Sequence, residues 1–183
     1  MELIKQNSQA RIIKLILVIF FSSIILAISA KIKIPFYPVP MTMQTFIVMF
    51  IGISLGYKIG LAAITLYLVE GIIGLPVFSN SPERGVGFVY FIGPTMGYLI
   101  GFLSACFIAS LIKEKDNYFV IFLKLIFSAS TIYILGILWL GSLLGWDKPI
   151  IALGVTPFLY AEIFKIALLT IIAKKIFKIR KLI

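Results

Sequence analysis

Residues 92 to 112 read IGPTMGYLIGFLSACFIASLI, a run of 21 residues without one charged side chain. As a helix rising about 1.5 Å per residue it matches the roughly 30 Å hydrocarbon core of a bilayer. Its small residues Gly93, Gly97, Gly101, Ala105 and Ala109 recur at every fourth position, so they form a stripe along one helical face that lets a neighbouring backbone come close. Lipid gives helices little hydrophobic reason to associate, and close packing of this kind takes its place. The run therefore reads as a membrane span packed within its own chain.

Five other apolar runs flank it, over 12 to 32, 40 to 56, 58 to 74, 118 to 141 and 156 to 174, separated by charged residues, prolines or glycines. With 61% hydrophobic residues and a mean hydropathy of +1.13, the chain carries more apolar surface than a soluble domain can hide. Six spans of roughly 20 residues use about 120 of the 183. No repeat or linker divides the remainder. The expected architecture is an all-α integral membrane protein, one domain over 1 to 183, built as a bundle of six transmembrane helices. Gly52, Gly56 and Gly60 extend the small-residue pattern into a second row, and Ser23, Ala27 and Ala30 give the first span a shorter one that suits either packing or a partner contact.

The first run follows Lys5, Arg11 and Lys14 and ends Ala27-Ile28-Ser29-Ala30, features shared with cleaved signal peptides. Its apolar stretch is longer than a usual signal core, and its removal would leave five helices, so it is expected to be retained. Basic residues set orientation. With the N-terminus inside, the cytoplasmic segments hold Lys5, Arg11, Lys14, Lys58, Lys113, Lys115, Lys124, Lys174, Lys175, Lys178, Arg180 and Lys181, or 12 of the 17 Lys and Arg. The opposite side holds Lys31, Lys33, Arg84 and Lys148, and Lys165 lies within the last span. Both termini read as cytoplasmic, and the net charge of +10 reads as topology anchoring beside anionic lipid. It follows no groove-lining pattern, so nucleic acid is not an expected partner.

Several chemistries are excluded by what is missing. There is no histidine and a single cysteine, Cys106, inside an apolar run, so zinc centres, Ser-His triads and disulfides are out. No Gly-x4-Gly-Lys-Ser/Thr phosphate loop occurs, so energy from ATP must enter through another chain. No cofactor is expected.

The polar residues left inside apolar runs are few. Glu162 and Lys165 stand three apart on one face of the sixth run, where ionisable groups are costly and tend to face a bundle interior or wet cavity. Glu70 stands near the outer end of the third run. Asn80 and Arg84 lie in the outer loop Ser79 to Gly85, Arg84 offering a guanidinium suited to a carboxylate. The outer connection 34 to 40, IPFYPVP, is stiffened by three prolines and leads to Thr42, Gln44 and Thr45. A rigid apolar roof above amide and hydroxyl groups suits a small-molecule pocket.

Three segments then coincide with a known family. Tyr37-Pro38-Val39-Pro40-Met41-Thr42-Met43-Gln44-Thr45, Gly74-Leu75-Pro76-Val77-Phe78, and Gly93-Pro94-Thr95-Met96-Gly97-Tyr98-Leu99 with Gly101-Phe102 closely resemble the BioY family, the biotin-binding S components of energy-coupling factor (ECF) transporters. The resemblance runs in order over about residues 20 to 175. It implies a multi-pass protein of the prokaryotic cytoplasmic membrane. The implied partners are biotin, a transmembrane coupling subunit and two cytoplasmic ATPases, and transport proceeds by tilting of this subunit. The family's acid and lysine after Pro-Phe match Pro157-Phe158, Glu162 and Lys165, although Ala161-Glu162 stands where the family usually has Gly-Asp. Gln44 matches the family's glutamine before the second helix. Asn80 and Arg84 rest on chemistry alone, because the family's loop is usually richer in glycine. On this reading Glu162 or Gln44 pairs with the ureido edge of biotin, Lys165 or Arg84 neutralises its carboxylate, and Tyr37, Tyr90 and Tyr98 wall its tail. An S component for another vitamin keeps the fold and changes the pocket. A structural subunit or intramembrane enzyme fits less well, since no nucleophile stands beside a base.

Overall fold

The computed structural model describes residues 2 to 181, with side chains described from residue 9 onward, so the flanking Lys5 lies outside the described side chains. Helix α1 (Glu2–Lys31) leads into a two-residue antiparallel ladder of β1 (Lys33–Ile34) and β2 (Met41–Thr42). There follow α2 (Gln44–Ile72), a short α3 (Gly87–Phe91), α4 (Met96–Ser110), α5 (Tyr118–Leu144), a short α6 (Ile150–Gly154), a 3-10 turn (Thr156–Phe158) and α7 (Leu159–Phe177), closed by a 3-10 turn (Lys178–Lys181). Among the described residues four helices are long and apolar enough to cross a membrane, within 9–31, 44–72, 118–144 and 150–181, and α4 is a shorter apolar helix.

Helix α2 is not straight. Gly56 has φ 74° and ψ 177°, a region that only glycine enters without strain. The limbs on either side fold back on each other: Gly60 lies against Ile51, and Gln44 Nε2 donates to Tyr67 Oη at 2.7 Å, although a continuous helix would hold those two residues roughly 34 Å apart. The expected glycine row through 52, 56 and 60 is therefore corrected. Gly56 forms the turn, while Gly52 and Gly60 approach Cys106 of α4 from the two limbs.

The stripe on α4 divides between two neighbours. A Cβ on Gly97 would strike the Leu135 carbonyl of α5, and one on Gly101 would lie 2.7 Å from Ile132 Cα. The Ala105 carbonyl accepts from Ser128 Oγ of α5 at 2.7 Å. Gly52 faces Cys106 and Ala109 from the other side, so α4 is gripped between α2 and α5. Gly93 instead lies in the turn before α4, its carbonyl accepting from Trp139 Nε1 at 2.8 Å. Helix α1 packs on α2: Ser23 Oγ donates to Glu70 Oε1 at 3.1 Å, Ala27 packs against the core, and Ile12, Ile16, Phe20 and Ile28 remain exposed on the other faces.

Several boundaries move. The span expected over 92 to 112 is the helix 96–110, because Pro94 has no N–H to give a ladder and Gly93-Pro94-Thr95 turn the chain. The second run starts at Gln44 rather than 40, since Met41 and Thr42 pair with Ile34 and Lys33. The last helix begins after the Pro157 turn and extends to Phe177. Helix α1 reaches back to Glu2, past the basic residues expected to precede it.

These choices give the molecule two distinct ends. One gathers the hairpin 33–42, the loop 73–95 and residues 145–158. At the other, Arg180 covers Gly56 and donates to the Ser110 carbonyl at 3.1 Å, where a cation complements the end of α4.

Candidate functional site

At the first end lies a cavity of about 560 Å³, measured to its open mouth. Pro40, Met41 and Thr42 roof it, Gln44 and Thr45 from the start of α2 form one wall, and Phe78 and Ser79 close a side. Tyr90, Tyr98, Phe102 and Tyr133 contribute aromatic surface, Phe158 approaches from the 3-10 turn, and Glu162 and Lys165 from α7. Apolar walls with a few convergent polar groups are the usual character of a small-molecule site.

The polar centre is built on α7. The turn at Thr156–Phe158, with Pro157 in it, starts the helix so that Glu162 falls in its first turn, where the helix dipole favours negative charge. Lys165 follows on the same face. Both are buried, at 4% and 6% exposure. Because helical side chains lean toward the N-terminus, the Lys165 stem runs back up the helix, and its Nζ donates to Thr42 O at 2.7 Å, Thr45 Oγ at 3.0 Å and Glu162 Oε2 at 3.3 Å. The ammonium thus meets the roof, above the depth that the residue's place in the span suggests. An ammonium has three protons, and each of these has a partner.

Glu162 is asymmetric. Its Oε2 accepts from Thr45 Oγ at 3.0 Å, Tyr133 Oη at 2.9 Å and Lys165 Nζ. Its Oε1 is buried and has no partner among the described residues, and neither has Ser79 Oγ. Both residues line the cavity. An unpaired buried acceptor costs about 1–3 kcal/mol, more for a charged group, so the arrangement is chemically incomplete and suits a ligand that brings a hydrogen-bond donor.

Gln44 is 4% exposed and fixed at both ends, Nε2 on Tyr67 and Oε1 accepting from Thr42 Oγ at 3.3 Å. One amide N–H remains for the cavity. The Tyr98 ring lines the cavity while its hydroxyl donates to the Gly154 carbonyl at 2.9 Å. Tyr90 stacks on Phe78 at 5.2 Å, and its hydroxyl accepts from the Asn80 N–H at 3.1 Å. Burial pushes the Tyr90 phenol up from its ordinary value, so it stays neutral at physiological pH.

Tyr37, Asn80 and Arg84 are displaced from their expected places. Tyr37 does not wall the cavity: its side chain is 75% exposed, because the loop turns Pro38, Val39 and Pro40 inward and leaves Tyr37 outside, with the Arg84 guanidinium 5.3 Å from its ring. Asn80 and Arg84 line a second, adjoining cavity of about 330 Å³ that shares Tyr90 and Thr95 with the first. Glu70 faces α1 through Ser23 and does not line the main cavity. Tyr133 is the residue that sequence reasoning missed. Its one signal is a phenol in the middle of an apolar run, where a buried hydroxyl needs a partner. Roof and loop are clasped by two lysines: Lys31 donates to the carbonyls of Phe78 and Ser81 at 2.7 and 2.6 Å, and Lys33 to Ser79 O at 2.7 Å and Asn80 Oδ1 at 3.0 Å.

The family model described as the BioY family matches residues 4–182. A protein of Pyrococcus horikoshii named "Probable biotin transporter BioY" is 37% identical over 82% of this chain and 88% of its own. "Biotin transporter BioY" of Thermotoga maritima is 34% identical over 85% and 90%. Among solved structures, the crystal structure of the S-component for biotin from an ECF-type ABC transporter superposes with a TM-score of 0.75, covering 92% of this chain and 93% of that one at 24% identity, so the fold is shared.

Proposed function

The chain belongs to the BioY family, and from that membership we propose that it binds biotin in the cavity at the α7 end and carries it into the cell as the substrate-specific subunit of an ECF transporter. The observation that carries the reading is Glu162 Oε1, a buried carboxylate oxygen without a partner among the described residues on the wall of a mostly apolar cavity. Biotin's ureido ring brings rigid N–H donors of the kind that oxygen lacks. A carboxylate placed there would instead meet like charge at short range. The ureido head therefore lies toward Glu162, with Gln44 and Ser79 as further polar contacts, while Tyr90, Tyr98 and Phe158 enclose the apolar part of the ligand. An analogue without the N–H groups would leave Glu162 unpaired, which is how a small polar set yields selectivity. Lys165 acts by holding Glu162 and the roof in place.

In this reading the chain is a single multi-pass unit of the prokaryotic plasma membrane with six crossings, the two limbs of α2 counting separately. The Gln44–Tyr67 bond supports that count, since the limbs must lie side by side to form it. The excess of basic residues at the Gly56 and Arg180 end supports a cytoplasmic placement of both termini. The chain does no chemistry, and ATP is hydrolysed by partner subunits that act through a transmembrane coupling protein and tilt this subunit. Cysteine in place of the exposed Glu83, in a Cys106→Ala background, should react with an impermeant thiol reagent added outside intact cells. Reaction only after permeabilisation would invert the topology.

Direct titration of the purified protein in detergent against a panel of vitamins tests the function. Saturable binding of biotin, in preference to the other vitamins, is expected. Tight binding of a different vitamin with none of biotin would refute the substrate while leaving the fold intact.

A further inference from the structure

The two oxygens of Glu162 are in unlike situations, and three donors from three elements make the difference. Oε2 accepts from Thr45 Oγ of α2 at 3.0 Å, Tyr133 Oη of α5 at 2.9 Å and Lys165 Nζ of α7 at 3.3 Å, while Oε1 is buried and unpartnered among the described residues. The terminal torsion of a glutamate is broad and roughly two-fold, so covalent geometry alone does not fix which oxygen faces the cavity. Thr45 and Lys165 do not fix it either, because they form one linked group, Lys165 Nζ donating to Thr45 Oγ at 3.0 Å. A carboxylate held by that group alone can rock about it and turn Oε1 toward the ammonium, which would satisfy the oxygen without any ligand.

Tyr133 reaches the carboxylate from a different helix and is placed independently. Its ring stacks on Phe158 and stands edge-on to Tyr98, with centroids 6.2 Å apart in both pairs, so ring packing sets its position before the hydrogen bond does. A phenol has one proton to give, and here it goes to Oε2. We propose that Tyr133 is a positioning residue for ligand capture: its hydroxyl, with Thr45 and Lys165, saturates Glu162 Oε2 and thereby fixes Oε1 as the oxygen that a ligand N–H meets. The proposal rests on the biotin reading above and deepens it. Glu162 supplies the acceptor, and Tyr133 keeps that acceptor aimed before the ligand arrives. Such preorganisation raises affinity by removing an ordering cost from the binding step.

The test is a double-mutant cycle read through the ligand. The full chain, purified in detergent, is titrated with biotin as wild type, Tyr133→Phe, Glu162→Ala and the double variant, with melting temperatures recorded alongside. Tyr133→Phe keeps the ring contacts and leaves Oε2 two donors, so its melting temperature should stay near that of the wild type. In the Glu162 chain the substitution should weaken biotin by about fivefold, the scale of ordering one more side chain on binding. In the Glu162→Ala chain it should change affinity by less than about twofold, because no carboxylate remains to be aimed. Equal losses in both chains would mean that the phenol meets the ligand on its own account or only supports the fold, and would overturn the proposal. Wild-type affinity in Tyr133→Phe would overturn it as well. A wild-type protein that binds no biotin would refute the biotin reading itself, and the proposal with it. That outcome is distinguishable because it appears before any substitution is made.

Discussion

Two lysine–carboxylate pairs stand at opposite ends of the bundle, and they differ in what they leave undone. Toward the Gly56 end, Lys124 meets Asp116 at 2.6 Å, and Asp116 Oδ2 also accepts the Lys113 N–H at 2.9 Å, while the lysine head reaches the Leu111 carbonyl at 3.1 Å. Although burial pushes the Asp116 carboxyl up, these hydrogen bonds prevail and hold it below its ordinary value, so the carboxylate is ionised at neutral pH. Its work is local: it closes the turn between α4 and α5. At the other end Glu162 and Lys165 are both buried and join β2, α2 and α5 to α7, yet one carboxylate oxygen has no partner among the described residues. The first pair completes a fold. The second completes a cavity wall and leaves one buried acceptor there unpaired among the described residues.

The same substitution at the two lysines sharpens that contrast. Lys165→Met strips the charge that compensates buried Glu162, an uncompensated-charge defect of about 3–5 kcal/mol, and should appear as a large drop in melting temperature in detergent. Lys124→Met breaks a partly exposed pair and should cost less than about 1 kcal/mol, a shift near the error of the melt. Similar shifts for the two variants would dissolve the distinction between the ends.

Much of this is legible in the sequence. Charge inside apolar runs is rare enough that Glu162 and Lys165 identify themselves, and the break between the second and third runs falls beside Gly56, where the chain turns back. The four-residue stripe on α4 also survives as a packing face, because close helix approach leaves a compositional mark at each contact. What the sequence hides is direction within loops. Nothing periodic tells that Pro38, Val39 and Pro40 turn inward while Tyr37 turns out, and the separation of Asn80 and Arg84 into a neighbouring recess depends on clasps by Lys31 and Lys33 from far along the chain. Tyr133 was invisible for another reason. One phenol in a long apolar run changes hydropathy very little, and its meaning emerges only when Glu162 is placed beside it.

The central claim is that Glu162 is the ligand's partner rather than only half of a structural pair. Biotin titration of Glu162→Ala beside wild type, with thermal stability recorded for both, tests it most directly. Removing the acceptor should weaken biotin by about tenfold or more in a protein that still melts cooperatively, whereas Glu162→Asp, which keeps the carboxylate, should retain binding. A folded Glu162→Ala protein with wild-type biotin affinity would contradict the account.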